Sequence, residues 1–119
     1  MMISGAHVVL YTRNADADRA FFRDILGFPS VDAGHGWLIF ALPPAEAAFH
    51  PDEENGRHEL YLMCNDVRAA ISSLAEKGVG TSEVQEAPWG FVTRVRLPGR
   101  GQLGLYQPRH PTAVGLTHG

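Results

Sequence analysis

Phe21-Phe22-Arg23-Asp24-Ile25-Leu26-Gly27-Phe28 is the stretch on which the fold turns. Phe22, Ile25 and Leu26 recur at helical spacing with Phe21 beside them, while Arg23 and Asp24 sit between, so one face of a helix is apolar. Gly27 supplies the stop, because a glycine enters the left-handed conformation without a side-chain clash. Upstream, Asn14, Asp16 and Asp18 place acceptors and negative charge where a helix N-terminus wants them. Before that lies a β-branched and aromatic run, His7-Val8-Val9-Leu10-Tyr11, which reads as a strand. Downstream, short strands are expected around 30–33, 36–42 and 45–50.

The same order then returns. Glu59-Leu60-Tyr61-Leu62-Met63 repeats the opening strand, Asn65-Asp66-Val67 the helix start, and Gly78-Val79 the helix stop. The second helix is expected over 67–77, with Val67, Ala70, Ile71 and Leu74 as its apolar stripe. Strands near 80–84, 91–97 and 102–106 follow. Each copy passes a Leu-Pro pair and closes on an aromatic-x-Pro, Phe49-His50-Pro51 and Tyr106-Gln107-Pro108. The organisation is therefore one domain over 1–119: a first module at 1–51, a polar linker at 52–57, a second module at 58–108, and a tail at 109–119 expected to trail over the surface. A solenoid needs at least three such copies; two point to a pseudo-symmetric pair with one site between its halves.

Composition narrows the function. The 119 residues suffice for one core, and 45% hydrophobic with 19% charged residues reads as globular. A net charge of -3 with no basic stripe speaks against nucleic acid. The single cysteine, Cys64, cannot form an internal disulfide, which suits a reducing cytoplasm, and it is expected to be buried and inert. No apolar run reaches membrane-spanning length, and the start lacks the marks of a signal peptide, so a cytoplasmic protein with no membrane partner is expected. Gly99, Gly101 and Gly104 lie in a late hairpin and strand, not between a strand and a helix, and make no phosphate loop.

A tandem βαβββ pattern carried by His7–Tyr11, by Phe21–Phe28 and by the closing Gly101-Gln102-Leu103-Gly104-Leu105-Tyr106-Gln107-Pro108 resembles the vicinal oxygen chelate superfamily: glyoxalase I, bleomycin- and fosfomycin-resistance proteins and extradiol dioxygenases. The resemblance spans about residues 3–108. It implies an α+β fold of two tandem βαβββ modules, a curved half-barrel sheet whose concave face holds a small-molecule pocket, and a homodimer.

Enzymes of that superfamily hold a divalent metal on the concave face, with ligands from the first and last strands of each unit. Side chains alternate along a strand. His7 falls at the first ligand position, with Val9 and Tyr11 on its face. Leu60, Leu62 and Cys64 form the apolar set suited to lie under a helix, which leaves Glu59 at the second position with Tyr61 and Met63. A one-residue slip would put His58 there instead. The carboxylate positions fall at Ala47 and Gly104, which offer no donor; Glu46 and His50 lie beside Ala47 but point to the opposite face unless a bulge intervenes. Two protein ligands make a poor divalent site.

The expectation is a small-molecule-binding protein of the glyoxalase/bleomycin-resistance type with a degenerate metal site and no cofactor. Tyr11, Trp37, Tyr61, Met63, Trp89, Phe91 and Tyr106 would wall an apolar pocket that accepts rings. His7 and Glu59 would form a proton-handling dyad. The alternative is a metal-dependent lyase, isomerase or dioxygenase in which His7 and Glu59 are residual ligands of Mn, Ni, Zn or Fe. A second alternative is a dimeric interaction module. Arg94 and Arg96 share a face and are expected to point to solvent.

Overall fold

A computed structural model describes residues 7–46, 48, 51, 53, 58–114 and 116. In chain order the elements are α1 (Ala15–Asp24), β1 (Ser30–Asp32), β2 (Leu38–Phe40), β3 (Tyr61–Met63), α2 (Val67–Glu76), β4 (Gln85–Ala87), β5 (Gly90–Arg96) and β6 (Gln102–Pro108). The fold is α+β, with a helix followed by strands in each half of the chain.

Both helices start as their sequences dictate. The Asn14 side chain accepts the Ala17 N–H, and the Asp66 carboxylate accepts the N–H groups of Arg68 and Ala69. Each helix is followed by a glycine in the left-handed region, Gly27 at φ 73° and Gly78 at φ 78°. The internal correspondence read from the sequence thus holds at the helix starts and stops.

The strands form a hairpin, β1–β2, and a four-stranded sheet in the order β3-β6-β5-β4, with β3 parallel to β6 and the other pairs antiparallel. Both helices pack on one face of that sheet. Phe21 and Phe22 from α1 join Val95, Leu97, Leu103 and Leu105 in the buried core, with Leu60, Leu62, Cys64, Ala70 and Leu74 packed against it. Phe22 also meets the rings of Phe28 and Phe40 at centroid distances of 5.8 and 5.5 Å, tying the hairpin to α1. Asp18 of α1 accepts the Gly99 N–H in the β5–β6 turn at 2.7 Å, and Lys77 donates to the Ile25 carbonyl at 3.3 Å.

Three expected elements differ. Residues 7–12 carry no strand, and Val9 is 61% and Tyr11 95% exposed; no strand pairs with them, and a strand needs a ladder partner. The strand expected at 80–84 is reduced to one bridge, Thr81 to Val95, and regular pairing resumes only at Gln85 opposite Val92. The chain takes one residue more between Thr81 and Gln85 than between Val95 and Val92, which is a bulge. There the Ser82 hydroxyl accepts the Arg94 N–H at 2.9 Å, and the fully buried Thr93 hydroxyl donates to the Ser82 carbonyl at 2.7 Å. The described start of the tail is tied back at two points: the Ala113 N–H donates to Glu46 at 2.7 Å and the Arg109 N–H to the Trp89 carbonyl at 2.9 Å. Of the strand expected at 45–50, residues 45, 46 and 48 carry none, while Ala47, Phe49 and His50 lie outside the described residues, as does most of the linker. No helix among the described residues is long and apolar enough to cross a membrane.

Candidate functional site

Alternation assigns the faces of the sheet. Leu60, Leu62 and Cys64, then Leu103 and Leu105, then Val95 and Leu97 turn towards the helices. The intervening residues turn to the opposite, open face, where Tyr61 of β3, Gly104 of β6 and Arg94 of β5 lie side by side in register.

An aromatic cluster covers this face. The rings of Tyr61, Trp89 and Tyr106 meet edge to face, with centroids 6.0 Å apart for Tyr61–Trp89, 5.8 Å for Tyr61–Tyr106 and 5.3 Å for Trp89–Tyr106. Tyr106 is buried while Trp89 stays 40% exposed, so the cluster has a floor and an open edge. Gly104 makes the arrangement possible. A Cβ there would stand 2.3 Å from Cδ1 and 2.7 Å from Cε1 of the Tyr61 ring, so any side chain would evict it. Arg94 completes the row: its guanidinium carbon sits 5.0 Å from the Tyr61 ring centroid, and Nη2 donates to the Tyr61 hydroxyl at 3.1 Å.

The tail closes one side. The Tyr106 hydroxyl lies 3.4 Å from His110 Nε2, and His110 Nδ1 lies 2.7 Å from the Pro111 carbonyl oxygen. A carbonyl only accepts, so in a neutral ring Nδ1 carries the proton and Nε2 accepts from Tyr106. Glu46, half-buried, approaches the same Nε2 at 3.9 Å. Burial, and then the negative charge of Glu46, pushes the Tyr106 hydroxyl above the usual phenol range, so it stays protonated at neutral pH.

The structure brings together Tyr61, Trp89 and Tyr106 from the sequence-derived set, with Met63 half-buried on the same face of β3. Phe91 does not join them. It alternates in phase with Val95, on the helix side, where Arg109 stacks on its ring at 5.3 Å. Trp37 sits in the hairpin of the first half under the Arg19 guanidinium, 4.5 Å from its ring centroid. Tyr11 lines a different, open hollow of about 550 Å³ with Thr12, Arg13, Gly99, Arg100 and Gly101. His7, His58 and Glu59 are exposed, and no hydrogen bond or ion pair joins His7 to Glu59. Among the described residues no group of three or more His, Cys, Asp or Glu side chains is placed to hold a metal ion.

Arg94 corrects the expectation of a solvent-facing pair: it lies half-buried on the aromatic cluster, while Arg96 on the same face is exposed. Glu46 and His110 also reach the site although the sequence reading assigned them elsewhere. Arg94 had a usable signal, since it lies opposite a glycine in an aromatic-lined strand pair. Glu46 and His110 had none, because they meet only through the path of the tail. Cys64, expected to be buried, is half-buried: it packs against the core, and burial pushes its thiol above the usual range.

No protein-family model and no curated protein matches the chain. Solved structures do. The antibiotic binding protein TnmS3 from Streptomyces sp. CB03234 is 26% identical, covering 91% of this chain and 98% of its own, with a TM-score of 0.65. A glyoxylase/bleomycin resistance protein/dioxygenase domain from Frankia sp. EAN1pec is 20% identical over 90% and 99% of the two chains, at 0.61. Lactoylglutathione lyase from Agrobacterium tumefaciens is 16% identical over 90% and 96%, at 0.59. The chain has the fold of the vicinal oxygen chelate superfamily, and its structural neighbours are glyoxalase, bleomycin-resistance and dioxygenase-domain proteins.

Proposed function

We propose that this protein binds a small molecule with a flat ring system on the open face of its four-stranded sheet, without a metal. The observation that carries the reading is Gly104. The superfamily resemblance gives that place to a metal-ligating carboxylate; here it has no donor, and the Tyr61 ring fills the space above it. His7 and Glu59 stand exposed and unjoined, so the described residues do not fit a divalent cation, which needs at least three protein ligands gathered at one point. What remains is a wall of three edge-to-face rings, a surface suited to stacking a conjugated ligand. The likeness to an antibiotic binding protein supports a binding role. The metal-dependent lyase or dioxygenase reading would require His7 and Glu59 to be brought together.

We infer further that two copies associate, since a single chain leaves Val9, Val31 and Trp37 more than half exposed in its first half. Light scattering should then give twice the one-chain mass.

The binding reading is tested by calorimetric titration of chelator-treated protein with 2-naphthamide, a neutral fused-ring probe. Saturable binding is expected, weakened about tenfold or more in Tyr106→Ala, which removes the floor of the cluster. Absence of saturable heat, or heat that returns only on adding Mn, Ni, Zn or Fe, would contradict it.

A further inference from the structure

We propose that the ligand carries an anionic oxygen next to its ring system and that Arg94 receives it; the inference rests on the binding reading above and names the chemistry of that ligand.

Arg94 is the group that the aromatic cluster does not explain. Its Nη2 donates to the Tyr61 hydroxyl at 3.1 Å and its guanidinium lies over the Tyr61 ring. Those contacts orient the fork without neutralising it, since a phenol brings no formal charge. Three other arginines have carboxylate partners: Arg19 with Asp16, Arg23 with Asp24, Arg109 with Glu86. Among the described residues no carboxylate pairs with Arg94, although it is half-buried. A guanidinium has five donors, and here a side-chain bond occupies one of them. Its free edge matches the planar, bidentate geometry of a carboxylate or enolate.

Its place is fixed from behind. The Arg94 N–H donates to the Ser82 hydroxyl and its carbonyl accepts the Ser82 N–H, both at 2.9 Å, at the bulge. Strand β5 therefore holds the arginine beside Gly104, where no Cβ intrudes. Glu46, beside Tyr106, already accepts the Ala113 N–H at 2.7 Å, and it is not paired with Arg94. An apolar wall of rings ending in an unneutralised cation selects a conjugated ring bearing a carboxylate, enolate or phenolate.

The test compares 2-naphthoate with 2-naphthamide, which share a ring system and differ in charge. On the full chain by calorimetry, 2-naphthoate should bind at least about tenfold more tightly. Arg94→Gln should bring the two within about threefold, and Arg94→Lys, which keeps the charge, should retain part of the preference. Arg96→Gln, on the same face of the same strand, should leave the preference intact. Equal binding of the two probes by the wild type, or a preference that survives Arg94→Gln or vanishes in Arg96→Gln, would overturn the assignment while the binding reading stands. Failure of 2-naphthamide itself to bind would remove the binding reading, and this one with it.

Discussion

Replacing Gly104 by Ala should destabilise the protein, and the reason is local enough to be isolated. The new Cβ would stand 2.3 Å from the Tyr61 ring, whereas ordinary van der Waals contact is 3.4–4 Å, so the ring must move by about an ångström or more. It is not free to do so, because Trp89 and Tyr106 meet its edges and Arg94 lies on its face. Overpacking of this kind costs about 1–3 kcal/mol. Alanine restricts the unfolded chain more than glycine, offsetting about 0.5–1 kcal/mol. The net loss is about 1–2 kcal/mol, which lowers a urea midpoint by roughly 1 M. Denaturation followed by circular dichroism reads it directly. In a Tyr61→Ala background the obstruction is gone, and Gly104→Ala should become neutral or slightly stabilising, a coupling of about 1–3 kcal/mol. A cost that persists without the Tyr61 ring, or no cost with it, would refute the claim that Gly104 exists to seat that ring.

Other outcomes follow from single contacts. Asp66→Ala removes the acceptor of two N–H groups at the start of α2 and should cost about 1 kcal/mol in the same denaturation assay. Asp18→Ala breaks a 2.7 Å charged hydrogen bond to the half-buried β5–β6 turn and should cost about 1–2 kcal/mol, more than Asp16→Ala, whose partner pair is surface-exposed. Burial raises the Cys64 thiol, so at neutral pH its reaction with a disulfide reagent should run at least about tenfold slower in folded protein than in urea, and should accelerate as pH rises.

Much of this fold was legible because it depends on short-range chemistry. Asn14, Asp66, Gly27 and Gly78 mark helix ends through bonds made within a turn, and the apolar stripe of α1 reports the face it buries. The first strand is absent for the opposite reason: His7–Tyr11 has strand-forming residues, but a ladder partner is a long-range requirement that composition does not encode. The bulge beside Arg94 hid for a similar reason, since an extra residue in one strand leaves no mark in alternation. At the site, Tyr61, Met63 and Tyr106 were legible from alternation on β3 and β6. Phe91 lies off the aromatic face because it alternates in phase with Val95 and Leu97, which fix its side of β5. Glu46 and His110 required the return path of the tail, which no local pattern carries.

The proposed ligand ring would meet the aromatic face at Gly104, where the superfamily resemblance puts a metal carboxylate. The most direct measurement is a crystal structure of the protein grown with 2-naphthoate. It should show the fused ring against Trp89 and Tyr106, with its carboxylate on Arg94. Density for the probe in the hollow beside Tyr11 and Arg100, or a cation held between His7 and Glu59, would contradict it.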